Sequence, residues 1–121
     1  MQNKKDLKDR TKKFALRIMK MYSSFPRSAE AQVLGKQVLR SGTSVGANYR
    51  EASRGRSKAE FIAKMGDCLK ELDETTYWFE LLIAGGILSE NKLSWLLQES
   101  KELTAIFVTI IKKTKSNQNK K

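Results

Sequence analysis

Apolar residues recur along this chain at steps of three and four, the spacing of one face of an α-helix. Leu7, Phe14, Ile18, Met21 and Phe25 form the first such stripe, with lysines on the remaining faces. The pattern predicts a helix from Asp6 to about Ser24, and Pro26 follows where a helix has just ended. A second stripe runs through Ala31, Leu34, Val38, Ser41/Gly42, Val45, Tyr49 and Ala52, opened by Ser28 as N-cap. Its middle, Ser41-Gly42-Thr43-Ser44-Val45-Gly46, is weak by propensity, since each glycine costs about 1 kcal/mol against alanine. The spacing stays in phase across it, which predicts one continuous or kinked helix. The small residues at 41, 42, 44, 46 and 47 would let another backbone come close, and an intersubunit contact is the expected use.

Arg54-Gly55-Arg56 reads as a turn with glycine at the C′ position. Ser57 then caps a third helix, with Glu60 completing a capping box. The third stripe is Phe61, Met65, Cys68/Leu69, Leu72, Thr75/Thr76, Phe79 and Leu82/Ile83, ending at Gly85-Gly86. Ser89 caps a fourth helix whose stripe is Leu93, Leu96/Leu97, Ser100, Leu103, Phe107 and Ile110/Ile111. Four amphipathic helices with short connections predict an all-α fold, an antiparallel up-down-up-down four-helix bundle in one domain. Its core should span residues 6–114, with 115–121 a flexible basic tail.

Charge changes the picture. The net charge is +11, from 24 Lys+Arg against 13 Asp+Glu, and all of the excess sits at the two ends. Residues 1–20 hold eight bases and two acids, residues 112–121 hold five lysines, and the stretch between them is neutral. An up-down-up-down bundle brings the start of the first helix, the turn after the second and the end of the fourth to one pole. Lys4, Lys5, Lys8, Arg10, Lys12 and Lys13 would meet Arg50, Arg54, Arg56 and Lys58, and with them Lys112, Lys113 and Lys115. Such a pole attracts polyanions, and the arginines suit bidentate phosphate contact. The plainer reading, that terminal lysines only solubilise the chain, stands beside it.

The remaining chemistry is sparse. The chain has no histidine, which removes His-based triads, general bases and metal ligands. One cysteine, Cys68, permits no intrachain disulfide and reads as a small core residue; no metal and no cofactor are expected. Arg40, Ser44, Asn48 and Glu51 lie near the stripe of the second helix, where they predict a polar network that fixes packing. Glu71, Asp73, Glu74 and Glu80 lack the Glu-x-x-His partners of a dimetal bundle and read as a solvated face or subunit contacts. Trp78 and Trp95 fit core or interface anchors. The longest apolar run, Leu81-Leu82-Ile83-Ala84, is far short of the ~20 residues a membrane span needs, and no apolar secretory segment opens the chain. No membrane partner is expected, and the lone cysteine fits a reducing compartment, so the expected location is the cytoplasm.

The stretch from Ser44 to Ala52, SVGANYREA, followed by Arg54-Gly55-Arg56-Ser57-Lys58-Ala59-Glu60-Phe61, resembles the four-helix-bundle proteins encoded in intervening sequences of bacterial 23S ribosomal RNA genes. Phe25-Pro26 and the stretch from Glu71 to Glu80 add to the resemblance, which covers residues 6–114. It implies a ring-like homopentamer of antiparallel four-helix bundles. The same family is similar to accessory proteins of diversity-generating retroelements, basic pentamers that bind nucleic acid and a reverse transcriptase. Where the commoner family form reads Asn-Ile-Ala-Glu-Gly, this chain has Asn48-Tyr49-Arg50-Glu51-Ala52, which adds a positive charge at the pole.

The function expected is non-enzymatic binding of nucleic acid, RNA or DNA, with structured RNA favoured. Contacts would run largely through phosphates, in a homo-oligomer. The alternative is an interaction scaffold that recruits an acidic protein or a reverse transcriptase. A ribonuclease is the least supported reading.

Overall fold

The structure, a computed structural model, describes residues 4–119, with side chains from residue 6 to residue 117. It contains four helices: α1 (Lys4–Tyr22), α2 (Ala29–Ser53), α3 (Lys58–Ala84) and α4 (Glu90–Asn119). The caps are those the sequence predicts. Ser28 Oγ accepts from the Ala31 amide at 3.3 Å, Ser57 Oγ from Glu60 at 3.1 Å and Ser89 Oγ from Lys92 at 3.3 Å. Glu60 closes its box one residue early, its carboxylate accepting from the Arg56 amide at 3.3 Å. Gly86, at φ 73°, is the left-handed glycine that ends the α3 turn. Gly55 serves differently: a Cβ there would sit 3.1 Å from the Ala52 carbonyl oxygen and 3.3 Å from the Phe61 amide nitrogen, a tight fit against backbone.

Residue pairing sets the directions of the helices. Arg40 reaches Glu71 and Glu74, and further along Glu51 reaches Lys64, so α2 and α3 run antiparallel. Arg10 reaches Glu99 and Glu102 while Arg17 lies over Trp95, so α1 and α4 do too. Tyr22 bonds to Gln32, and Thr11 lies against Gly46, which orders α1 and α2 the same way. Consecutive helices are neighbours and α4 returns beside α1, a square with two diagonals. Side chains bridge the diagonals: Phe14 meets Phe79 edge-on at 6.4 Å, and Tyr49 stacks on Phe107 at 6.2 Å.

The core is the four predicted stripes. Phe14, Phe79 and Phe107 are fully buried, each worth roughly 2–3 kcal/mol against exposure. Cys68 is buried among them, and burial pushes its thiol pKa up to about 12. Trp78 and Trp95 are partly buried against the core rim.

Part of the small-residue stretch of α2 is used within its own bundle: a Cβ at Gly42 would lie 2.2 Å from Ile18, and one at Gly46 3.1 Å from Thr11. Ser41 points to α3, where its hydroxyl is hydrogen-bonded to that of Thr75 at 2.7 Å in the core. At Gly42 and Gly46 the element that comes close is α1 of the same chain. The tail differs from the expectation, because α4 runs on through Asn119. Residues 115–119 contain no glycine or proline to stop it; Lys120 and Lys121 lie outside the described residues.

Candidate nucleic-acid interface

The antiparallel order brings the first turns of α1 and the last turns of α2 to one end of the bundle. Because Gly46 lets α1 lie close, the side chains beside the seam are short: Ala15, Thr43, Gly46 and Ala47. The result is a groove of about 630 Å³ with a small-residue floor. Lys8 and Lys12 enter it from α1, and Arg50 and Arg54 from the end of α2. All four are exposed, and among the described residues none of the four is in an ion pair. Asp9 and Glu51 also line it, but Glu51 is engaged by Lys64 at 2.7 Å. That contact raises the Lys64 pKa, so the lysine stays charged.

The other predicted cations reach the same end without entering the groove. Arg56 and Lys58 are exposed in and just after the α2–α3 turn. The Tyr49–Phe107 stack fixes the level of α4 against α2. Arg54 and Lys112 each stand five residues beyond that stack on parallel diagonal helices, and so share a height. Lys112 and Lys113 are exposed there, across the bundle from the groove. Lys4 and Lys5 open α1, but their side chains lie outside those described.

One member of the expected pole is already committed elsewhere. The Arg10 guanidinium donates to Glu99 at 3.0 and 2.7 Å and to Glu102 at 3.0 Å. The hydrogen bonds to Glu99 hold its pKa well above the usual guanidinium value. Arg10 therefore ties α1 to α4 and is not available to a phosphate. Gln98 and Arg10 together hold the Glu102 carboxyl below its ordinary range.

The four-residue network predicted from Arg40, Ser44, Asn48 and Glu51 does not form as a unit. Glu51 is exposed and turns to Lys64. Ser44 donates to the Arg40 carbonyl at 2.8 Å, within its own helix. Arg40 leaves the group altogether, bonding Gln37 on one side and Glu71 and Glu74 on the other. Glu74 also accepts from Trp78 Nε1 at 3.1 Å. Among the described residues, no side-chain hydrogen bond joins Asn48 to the other three. The spacing along α2 marked these residues as neighbours, but only the approach of α3 decides where each side chain turns. The acids of α3 read as a solvated face in the sequence, and two of them are the partners Arg40 uses.

A family model for the 23S rRNA-intervening sequence protein matches residues 3–109. The chain belongs to that family. A crystal structure of a protein with unknown function from the S23 ribosomal protein family of Bacteroides thetaiotaomicron is similar over nearly its whole length. It shares 39% identity with a TM-score of 0.84, covering 90% of this chain and 97% of that one. No curated protein matches. The family fold and the four-helix order thus agree with the resemblance carried by the Ser44–Ala52 stretch. Among the described residues, no helix is long and apolar enough to cross a membrane.

Proposed function

We propose that this member of the family is a non-enzymatic nucleic-acid-binding protein that takes structured RNA through phosphate contacts. One observation carries the reading: the α1/α2 groove gathers Lys8, Lys12, Arg50 and Arg54, none of them paired with a carboxylate among the described residues. Arginines in an open groove can fork onto phosphate oxygens, and the flanking Arg56, Lys58, Lys112 and Lys113 extend the field around it. The groove floor carries no aromatic side chain for base stacking, so binding is largely sequence-tolerant and any preference comes from shape. Several copies in a homo-oligomer multiply weak individual sites by avidity.

Fluorescence anisotropy with an RNA hairpin and a DNA duplex, across a series of salt concentrations, tests this. Each phosphate contact contributes about −0.9 to the log–log salt slope on duplex DNA and about −0.7 on single strands. Arg50→Ala with Arg54→Ala should weaken binding at least ~10-fold and flatten the duplex slope by about 1.8, with melting unchanged. Absence of binding at ~50 mM salt, where such contacts are strong, would overturn the reading. So would a double variant that binds as the parent does. An acidic protein that competes at equal concentration would move the groove to the scaffold reading.

A further inference from the structure

Asp9 is the odd residue of the α1/α2 groove. The other charged side chains lining it are the four cations and Glu51, and Glu51 is held by Lys64 from outside the groove. Asp9 is exposed and, among the described residues, in no ion pair. A carboxylate in this position repels the phosphates that the cations attract, and so opposes the binding of any nucleic-acid backbone. The start of α1 does not require it either. Its first turn already carries Asp6, and the attraction of a helix N-terminus for acids fades beyond that turn.

Its level in the groove gives it a partner. Lys8 and Lys12 stand one turn apart, about 6 Å along the axis, and Asp9 falls between them. Arg50 and Arg54 form a second pair with the same spacing on α2. In a nucleic-acid strand a sugar separates each phosphate from the next. A strand lying along the groove, with successive phosphates on cations one turn apart, brings the sugar between them to the level of Asp9. An ionised carboxylate only accepts hydrogen bonds, so it needs a donor from that sugar. Ribose supplies one in its 2′-OH, and deoxyribose has none. Base amines are the other donors of a strand, but the floor of Ala15, Thr43, Gly46 and Ala47 offers no aromatic ring to hold an unstacked base there.

We propose that Asp9 selects RNA over DNA, its carboxylate accepting a hydrogen bond from the 2′-OH of the ribose between two bound phosphates. The proposal rests on the phosphate-binding reading above and names the class of backbone that the groove takes. On RNA the charge-assisted hydrogen bond offsets the repulsion between Asp9 and the flanking phosphates. On DNA that repulsion has no compensation. Discrimination therefore comes as much from disfavouring the wrong strand as from holding the right one.

Three hairpins of one sequence test it by fluorescence anisotropy at a single salt concentration: RNA, 2′-fluoro RNA and DNA. The 2′-fluoro hairpin keeps the sugar shape of RNA but has no O–H to donate. The parent should bind RNA about 10-fold more tightly than either of the others, the loss expected when a hydrogen bond to a charged group goes unmade. Asp9→Ala, with unchanged helical circular dichroism, should bind the 2′-fluoro and DNA hairpins more tightly than the parent does and bring the three affinities together. Glu51→Ala removes the same charge from the same groove and should leave the RNA preference in place. The comparison of RNA with 2′-fluoro RNA needs no variant. If the parent binds those two equally, or if Asp9→Ala keeps the full preference, the role of Asp9 is overturned and the phosphate reading stands. If the parent binds none of the three hairpins, the phosphate reading falls and the role of Asp9 falls with it.

Discussion

Helix α1 rests on two neighbours in different ways. Against α2 it meets glycines: Gly35 lies under the rings of Tyr22 and Phe25, Gly42 under Ile18 and Gly46 under Thr11. Against α4 it meets polar groups, with Arg10 forked onto Glu99 and Glu102 and the Arg17 guanidinium 4.5 Å from the centre of the Trp95 ring. The first seam is close-packed, and it is built by removing side chains. The second is wider and is built by long side chains that bridge it. The groove at the basic pole belongs to the first seam, because close approach leaves only short residues beside it. The difference teaches that a cation's role in this protein follows the seam it stands on. Lys8 and Lys12 flank the glycine seam and stay open, whereas Arg10 flanks the polar seam and is consumed by it.

That comparison can be broken at three strengths. The glycine seam should be the most sensitive. At Gly35 a Cβ would fall 2.5 Å from the Tyr22 ring and 2.8 Å from Phe25, and rings cannot swing aside as a terminal methyl can. Gly35→Val should cost about 3 kcal/mol in urea unfolding, the upper end of the usual overpacking penalty.

The polar seam should come next. Arg10→Ala leaves Glu99, whose side chain is only 12% exposed, without its charge partner. A loss of about 2 kcal/mol is expected by the same measurement, the cost of stranding a partly buried carboxylate. This seam also has a pH sign. A carboxylate whose folded pKa is depressed, as Glu102's is, adds stability that is present above its unfolded value near 4.3 and is lost as pH falls through the folded value. Acid should therefore weaken the parent more than Arg10→Ala, and the gap between them should narrow below about pH 4.

The smallest effect should have the opposite sign. Gly66 is exposed in the first half of α3, and a Cβ added there would meet nothing within 4 Å, so it belongs to neither seam. Gly66→Ala should raise stability by roughly 1 kcal/mol, from helix propensity alone. A loss at Gly66, or a gain at Gly35, would remove the distinction between a glycine that packs and one that does not.

The pattern of apolar residues determined the number of helices, their caps and most of the core, because burial with a period near 3.6 depends on nearest neighbours along the chain. The terminal location of the excess charge was equally legible, since charge is counted residue by residue. Helix order followed from short connections, and with it the gathering of basic residues at one end. Contacts between helices were not legible in this way. Whether Gly42 served α1 or another subunit, whether Arg10 was free or bound, and where Arg40 and Glu51 turned all depended on residues 13 to 92 positions away. Spacing along one helix places a residue on a face but does not say what covers that face. Only the tertiary structure decided this, by setting the helices side by side, and so it alone separated Lys8, Lys12, Arg50 and Arg54 from the cations already in use.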